Sequence, residues 1–340
     1  MSQKRDAIIT KAWYDGAAWL YLLWPLSVIY HLIIWIRQYL YRKGLLTIYR
    51  ANVPVIIVGN ITVGGTGKSP LVCHLIEALR EKGFNPGIVS RGYGAKIKKN
   101  EVREVFNTSL PSEVGDEPLM LKTKLNCRIF VSPSRALAVQ ALEQTGCDII
   151  ISDDGMQHYA LHRDIEICVF DGQRKWGNGY LLPMGPLREP ISRLKSIPYL
   201  VVNGASHARS YGQSSLNQKA FSMTLQASLL VNLYSGETKP LSAFSDKAVH
   251  AVAAIGHPER FFSTLSSSGL KLEAHAFVDH HAYQMSDFKF EQTLPIIMTE
   301  KDAVKCEHLK LNDAWFLPVS AKLNGDLAGQ IIKNLGLIQQ

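Results

Sequence analysis

The chain has 340 residues, enough for one large or two medium domains, and its 46% hydrophobic content fits a folded protein rather than a disordered one. A formal charge of +8 suits an anionic membrane, a phosphorylated small molecule or nucleic acid, with a merely solvated surface excess as the bland alternative. No arginine-rich arm, zinc-ligand set or RNP-like aromatic strand is present, so no nucleic-acid partner is expected. Cys73, Cys127, Cys147, Cys168 and Cys306 show no CxxC or Cys/His spacing, which predicts reduced, buried thiols in a reducing compartment.

The first element is apolar. Between Asp15 and Arg37 lie 21 residues without a formal charge, roughly 30 Å at helical rise and close to the thickness of a bilayer's hydrocarbon. Trp13, Trp19, Trp24, Trp35 and several tyrosines favour the headgroup region, and cations flank both sides: Lys4, Arg5 and Lys11, then Arg37, Arg42, Lys43 and Arg50. A cleaved signal peptide is not expected, because the run is too long and no small-residue cleavage site follows it. A membrane helix is the expectation and a buried core helix its rival; Pro25, His31 and the balanced flanks leave open whether it spans or lies in one leaflet.

Strand-like and helical runs then alternate. Strands are predicted at Val53–Val58, Gly87–Ser90, Arg128–Val131, Asp148–Ser152, Ile165–Phe170 and Tyr199–Val202, with helices from about Ser69 and Arg135. Such alternation means βαβ units and a parallel sheet covered on both faces. Residues 221–233 read as extended, SGETKP as a turn, and VHAVAAI, from about Lys247, as the first strand of another lobe. The expected fold is α/β: a P-loop NTPase-like parallel sheet core, a second, smaller α/β lobe and an N-terminal membrane helix. The expected division is 1–45 for the membrane-associated helix, 46–235 for the P-loop core with an extended linker, and 236–340 for the C-terminal lobe.

The most specific stretch is VPVIIVGNITVGGTGKSPLVCHLIEALREKG, an apolar strand, a glycine-rich turn, Lys68 and Ser69, then an amphipathic helix. Leu71, Val72, Leu75, Ile76 and Leu79 share one face of that helix, and Gly83 marks its end. A loop of Thr62, Val63, Gly64, Gly65, Thr66, Gly67, Lys68 and Ser69 turns backbone N–H groups and a helix N-terminus toward a phosphate. Lys68 reaches the β- and γ-phosphates, and the Ser69 hydroxyl takes a Mg²⁺ position. The pattern GxxxxGK[ST] asks for glycine where Thr62 stands.

Downstream, an apolar strand ends in Asp153 and Asp154, where a parallel sheet presents ligands and a carboxylate can order Mg²⁺. Neighbours on an extended segment point oppositely, so only one of the pair need face the metal. Gly115-Asp116-Glu117-Pro118 is a helix start or a functional site; Asp279-His280-His281 reads as a base relay, a metal site or a surface turn.

Together these pieces resemble the tetraacyldisaccharide 4′-kinase family, the lipid A 4′-kinases of Gram-negative bacteria. The resemblance rests on GNITVGGTGKSP, SRGYG, GDEP, DDGMQH, MGPLREP, VNG, GHPERFF, DHH and TEKDAVK in this order, across almost the whole chain. It implies two α/β/α lobes joined by a small β-linker, and transfer of the ATP γ-phosphate to the 4′-hydroxyl of a lipid A disaccharide-1-phosphate precursor. The implied setting is the cytoplasmic face of the inner membrane, with membrane lipids as further partners. It implies that Asp116 and His280 cooperate in activating the hydroxyl, with Lys68 on the transferring phosphate. Ser69, Asp153 and Asp154 would serve Mg²⁺, with Glu189 as a further metal-side acid and Arg135 as a phosphate contact. Ser69 stands where many members have threonine, His257 where asparagine is common, and His281 adjoins His280, so the acting imidazole stays open. A non-kinase membrane NTPase and a scaffold with a degenerate loop are the rivals; no NKxD or LSGGQ stretch supports the first.

Overall fold

The computed structural model describes residues 2–204 and 218–337. The chain opens with α1 (Ser2–Asp15), a 3₁₀ segment (Ala18–Leu23) and α2 (Trp24–Arg42), with Pro25 in the first turn of α2, where its missing N–H costs nothing. The side chains of Lys4 and Arg5 lie outside the described part. The uncharged run is therefore a turn, a 3₁₀ segment and most of α2. By length and composition Ala18–Arg42 is long and apolar enough to cross a membrane, and most of it is exposed. One stripe is not: Ser27, Tyr30, Ile34, Gln38 and Tyr41 turn inward at helical spacing. Ser27 Oγ donates to the Leu181 carbonyl at 3.0 Å, Tyr30 to the Arg188 carbonyl at 3.2 Å, and Gln38 to the Tyr159 hydroxyl at 2.8 Å. Ser27 to Gln38 is about 16 Å of helix. Over that length one side of α2 lies along the protein body, while Leu26, Ile29 and Ile33 of α2 and Leu22 of the 3₁₀ segment are exposed.

The predicted alternation is present. In chain order come β1 (Val55–Gly59), α3 (Lys68–Glu81), β2 (Pro86–Ser90), β3 (Arg103–Glu104), α4 (Pro111–Val114), α5 (Asp116–Leu125), β4 (Ile129–Val131), α6 (Arg135–Glu143), β5 (Ile149–Asp153), β6 (Ile165–Asp171), β7 (Tyr199–Asn203) and β8 (Lys219–Ala227). These strands form one sheet, completed by β15 (Val319–Leu323), in the order β15-β8-β7-β6-β1-β5-β2-β4-β3. From β8 to β4 neighbours run parallel; β15 and β3 pair antiparallel at the edges. Alternate residues of β1 feed different cores. Ile56 and Val58 meet Leu71, Leu75 and Leu79 of α3, while Val55 and Ile57 meet Val139 and Leu142 of α6. The loop after β1 thus leaves the middle of the sheet at its carboxyl edge, between β5 and β6. All five cysteines are free and buried, and burial pushes the Cys73 and Cys168 thiols up to about 12.

A second sheet, β10-β9-β14-β13-β11-β12, contains β9 (Leu230–Asn232), β10 (Thr238–Lys239), β11 (Ala248–Ala253), β12 (Lys271–Ala276), β13 (Ile296–Thr299) and β14 (Ala314–Leu317). It carries α7 (Pro258–Ser267) and α8 (Glu300–Cys306). The sheets do not divide at residue 235. The extended run 221–233 is split between them, and the chain returns to the first sheet after Leu317. Pro318, which has no N–H to donate, ends β14; β15 and α9 (Leu327–Leu335) then pack with the P-loop core, where Leu327, Ala328 and Ile331 join the cluster under α3.

Candidate active site

The loop after β1 is held from three sides. Thr62 bridges antiparallel to Leu187 and the Val63 N–H donates to the Pro186 carbonyl at 2.8 Å, so this half is extended. That explains why threonine stands at the pattern's first glycine: an extended residue needs no left-handed backbone. The positive φ values fall at Gly64 (103°) and Gly67 (93°). Asn60, fully buried, contacts the Gly64 carbonyl and the Thr66 hydroxyl at 3.4 Å each, and Asn203 donates to the Thr66 carbonyl at 3.1 Å. Val63 to Ser69 line a cleft of about 1510 Å³, while Thr62 is buried beneath the loop.

Asp153 and Asp154, at the end of β5, are treated differently by their surroundings. Both Asp154 oxygens accept from Arg188 at 3.0 Å, and Lys68 Nζ lies 3.5 Å away. Burial favours the acid, but Lys68 and Arg188 outweigh it and hold Asp154 well below the usual carboxylate range. Asp153 is 1% exposed, and its Oδ1 has no hydrogen-bond partner although the residue lines the cleft. Burial, with Glu117 and Asp154 nearby, pushes it up to about 7. A buried carboxylate oxygen without a donor, in the cleft that Ser69 also lines, fits a divalent cation. Arg135 donates to the carbonyls of Ser132 (3.1 Å) and Asp153 (3.0 Å), which leaves further N–H groups at the cleft wall it lines.

Glu189 stands apart from the other expected metal-side residues. Its carboxylate is fully buried, accepts from Gln157 and Tyr159 at 3.1 and 2.8 Å, and is ion-paired with Arg193 at 3.2 Å. It is outside the cleft lining, where its neighbour Arg188 stands instead. Held by these neighbours, Glu189 braces this segment.

Asp116, which lines the same cleft, opens α5 and is 5% exposed, and His280 Nδ1 lies 2.9 Å from both of its oxygens. Lys301 Nζ sits 2.9 Å from Glu117 and from Asp279, and 3.4 Å from His280 Nε2. A lysine ammonium offers only protons, so Nε2 accepts and Nδ1 carries the hydrogen toward Asp116. Burial opposes ionisation of Asp116, but the His280 hydrogen bond and the Lys301 charge keep it below its ordinary value. His281 is turned away, bonded to Asp287 at 3.0 Å and stacked on Phe277. Tyr93 packs on the His280 ring at 4.6 Å. Asp154 (φ 49°) and His280 (φ 62°) both hold left-handed backbone, a cost of about 1–3 kcal/mol each that the surrounding contacts must offset. The second lobe closes against the loop at Gly256, where a Cβ would stand 3.1 Å from the Gly65 nitrogen.

The geometry is therefore a phosphate loop and an acid–imidazole pair facing one cleft. A family profile described as "Tetraacyldisaccharide-1-P 4'-kinase" matches residues 19–336. The chain belongs to this kinase family. Among similar proteins, a tetraacyldisaccharide 4′-kinase of Hahella chejuensis is 43% identical over 324 residues, 94% of this chain and 93% of its own length. Another, from Pseudomonas syringae pv. tomato, is 46% identical over 312 residues, covering 91% and 92%. Among solved structures, the "apo" form of LpxK from Aquifex aeolicus in complex with ATP matches with a TM-score of 0.76 at 30% identity, over 94% of this chain and 98% of that one.

Residue reasoning alone did not single out Asn60, Tyr93, Arg188, Asn203 or Lys301. All five lie within the stretches that carry the family resemblance. Lys301 and Arg188 had no visible signal of their own, because only the fold brings them to acids distant in sequence.

Proposed function

We propose that this chain is a membrane-associated, ATP-dependent kinase that phosphorylates the 4′-hydroxyl of a tetraacyldisaccharide 1-phosphate at the cytoplasmic face of the inner membrane. The observation that carries the reading is the Asp116–His280 pair, with Asp116 buried, lining the same cleft as the phosphate loop. Family membership and the ATP complex of the Aquifex aeolicus neighbour support the nucleotide and the acceptor.

The loop N–H groups and Lys68 would bind the triphosphate, with Lys68 exchanging its contact with Asp154 for the γ-phosphate. Ser69 and Asp153 would hold Mg²⁺, which when bound neutralises phosphate charge; Arg135 contributes a further cation. Asp116, oriented by His280, accepts the 4′-hydroxyl proton as that oxygen bonds to the γ-phosphorus. The bond from γ-phosphorus to the bridging oxygen breaks, and ADP leaves with the electron pair. The exposed stripe Leu22, Leu26, Ile29 and Ile33 lies in the outer part of one leaflet, where Lys11, at the rim of the cleft, meets the 1-phosphate of a substrate whose acyl chains stay in the bilayer.

The test is incubation of the detergent-solubilised chain with γ-labelled ATP and a disaccharide-1-phosphate acceptor. Label on the 4′-oxygen, with ATP consumption dependent on acceptor, is the expected result. Acceptor-independent hydrolysis would instead support a non-kinase NTPase.

A further inference from the structure

The second sheet holds a cluster of donor groups that the phosphoryl chemistry does not use. In the parallel pairing of β11 with β12, His250 stands opposite Glu273 and Val252 opposite His275. Glu273 and His275 are two residues apart, so both share a face of β12 with His250 at its side. His250 Nδ1 lies 3.1 Å from Glu273 Oε2 and 3.1 Å from His275 Nε2, and the three atoms lie within 4.8 Å of one another.

The protonation of His250 follows from its other nitrogen. Nε2 is 2.9 Å from the Gln292 carbonyl oxygen, which can only accept, so Nε2 carries a hydrogen. In the neutral ring Nδ1 is then a lone pair, turned toward a carboxylate oxygen and a second imidazole nitrogen. A single proton, on His250 Nδ1 or on His275 Nε2, bridges one of these contacts and leaves the other unpaired. A metal ion accepts all three lone pairs at once.

We propose that His250, Glu273 and His275 form a binding site for a divalent transition-metal ion of the zinc class. In a tetrahedral site with metal–nitrogen bonds of about 2.0–2.1 Å, ligand atoms stand about 3.3 Å apart, close to the 3.1 Å that His250 Nδ1 already keeps from each of the other two. The Gln292 carbonyl supplies the outer hydrogen bond that fixes a ligating imidazole. Phe290 covers both rings, 3.9 Å from that of His250 and 4.2 Å from that of His275. His250 is buried, whereas Glu273 is 41% exposed on an edge strand, which leaves an entry path and a fourth position for water. Mg²⁺ prefers six oxygen ligands, so this imidazole-rich site is distinct in kind from the one at Ser69 and Asp153. Because β12 runs directly into Asp279 and His280, the ion would clip the strand that carries the imidazole of the cleft to β11 and to the segment at Gln292.

Untagged full-length protein in detergent is stripped with chelator and titrated with Zn²⁺, and in parallel with Co²⁺. The expected result is one tightly bound equivalent, a rise in melting temperature, and the visible bands of tetrahedral Co²⁺. His275→Asn and Glu273→Gln should each weaken binding about tenfold or more, while His308→Asn, at an exposed histidine elsewhere, should leave it unchanged. Each variant's melting temperature in chelator reports that it is folded. No bound equivalent in the parent protein, or one that persists undiminished in both site variants, overturns the proposal.

Discussion

Lys301 shows how single residues set the chemistry of the cleft. Its ammonium is pulled toward the neutral form by burial, but Glu117, Asp116 and Asp279 outweigh this and keep it charged. That charge in turn helps Asp116 stay ionised and leaves the proton on His280 Nδ1. In Lys301→Met the carboxylates lose their shared cation, so the ionised form of Asp116 becomes less favourable and its pKa rises. If Asp116 must be ionised to accept the hydroxyl proton, the acid limb of the kcat/KM profile moves to higher pH, by about one pH unit. Asp116→Asn removes the acceptor and should lower kcat by about 10²- to 10⁴-fold while equilibrium ATP binding is kept. A full-rate Asp116→Asn enzyme would exclude this residue as the base. Residue types alone left GDEP, DHH and TEKDAVK as three separate short stretches; the family resemblance implied the Asp116–His280 pairing but not the part of Lys301. Only the closing of the second lobe on the first makes them one site.

At the scale of elements, segment 181–188 does two jobs. On one side it accepts from Ser27 and Tyr30 of α2; on the other it pairs with Thr62, Val63 and Ile61 of the phosphate loop. The apolar helix is thereby joined to the nucleotide loop through a single layer of backbone. The helix was readable as apolar and long, but its docked stripe was not, because Ser27, Tyr30 and Gln38 also occur in membrane helices. Replacing Leu22, Ile29 and Ile33 together by serine leaves the docked stripe intact and removes the outward apolar face. Flotation with anionic vesicles should then fall several-fold while ATP binding persists; unchanged flotation would assign membrane contact to another surface. The loop also depends on Asn203, from β7. Asn203→Ala leaves the Thr66 carbonyl without its donor, a loss of about 1–3 kcal/mol, and should weaken ATP binding by about tenfold in equilibrium titration.

For the whole molecule, parallel strands were the legible part. Buried on both faces, they read as continuous apolar runs such as VIIVG and IIIS, so their ends were found to within a residue or two. The connection between sheets was not legible, because VSAKL is a short edge strand of alternating character that follows β14 after one proline. Two crossings between the sheets lie side by side, where the Ser228 N–H donates to the Pro318 carbonyl at 3.0 Å, and on the first-sheet side they continue as the antiparallel pair of β8 with β15. Beyond this tie α9 is fastened to the first lobe by Asp326 with Lys82 at 3.2 Å, by Tyr199 donating to the Gln330 carbonyl at 3.1 Å, and by buried Ile331. The last helix in the chain therefore supports the helix that starts at the phosphate loop. Ile331→Ala should cost about 2–5 kcal/mol, and the loss should appear in the first lobe. Hydrogen exchange would read this directly. Faster exchange across Leu71–Leu79 with little change across Val249–Ala253 is expected, whereas the reverse pattern would mean that α9 stabilises the second lobe instead.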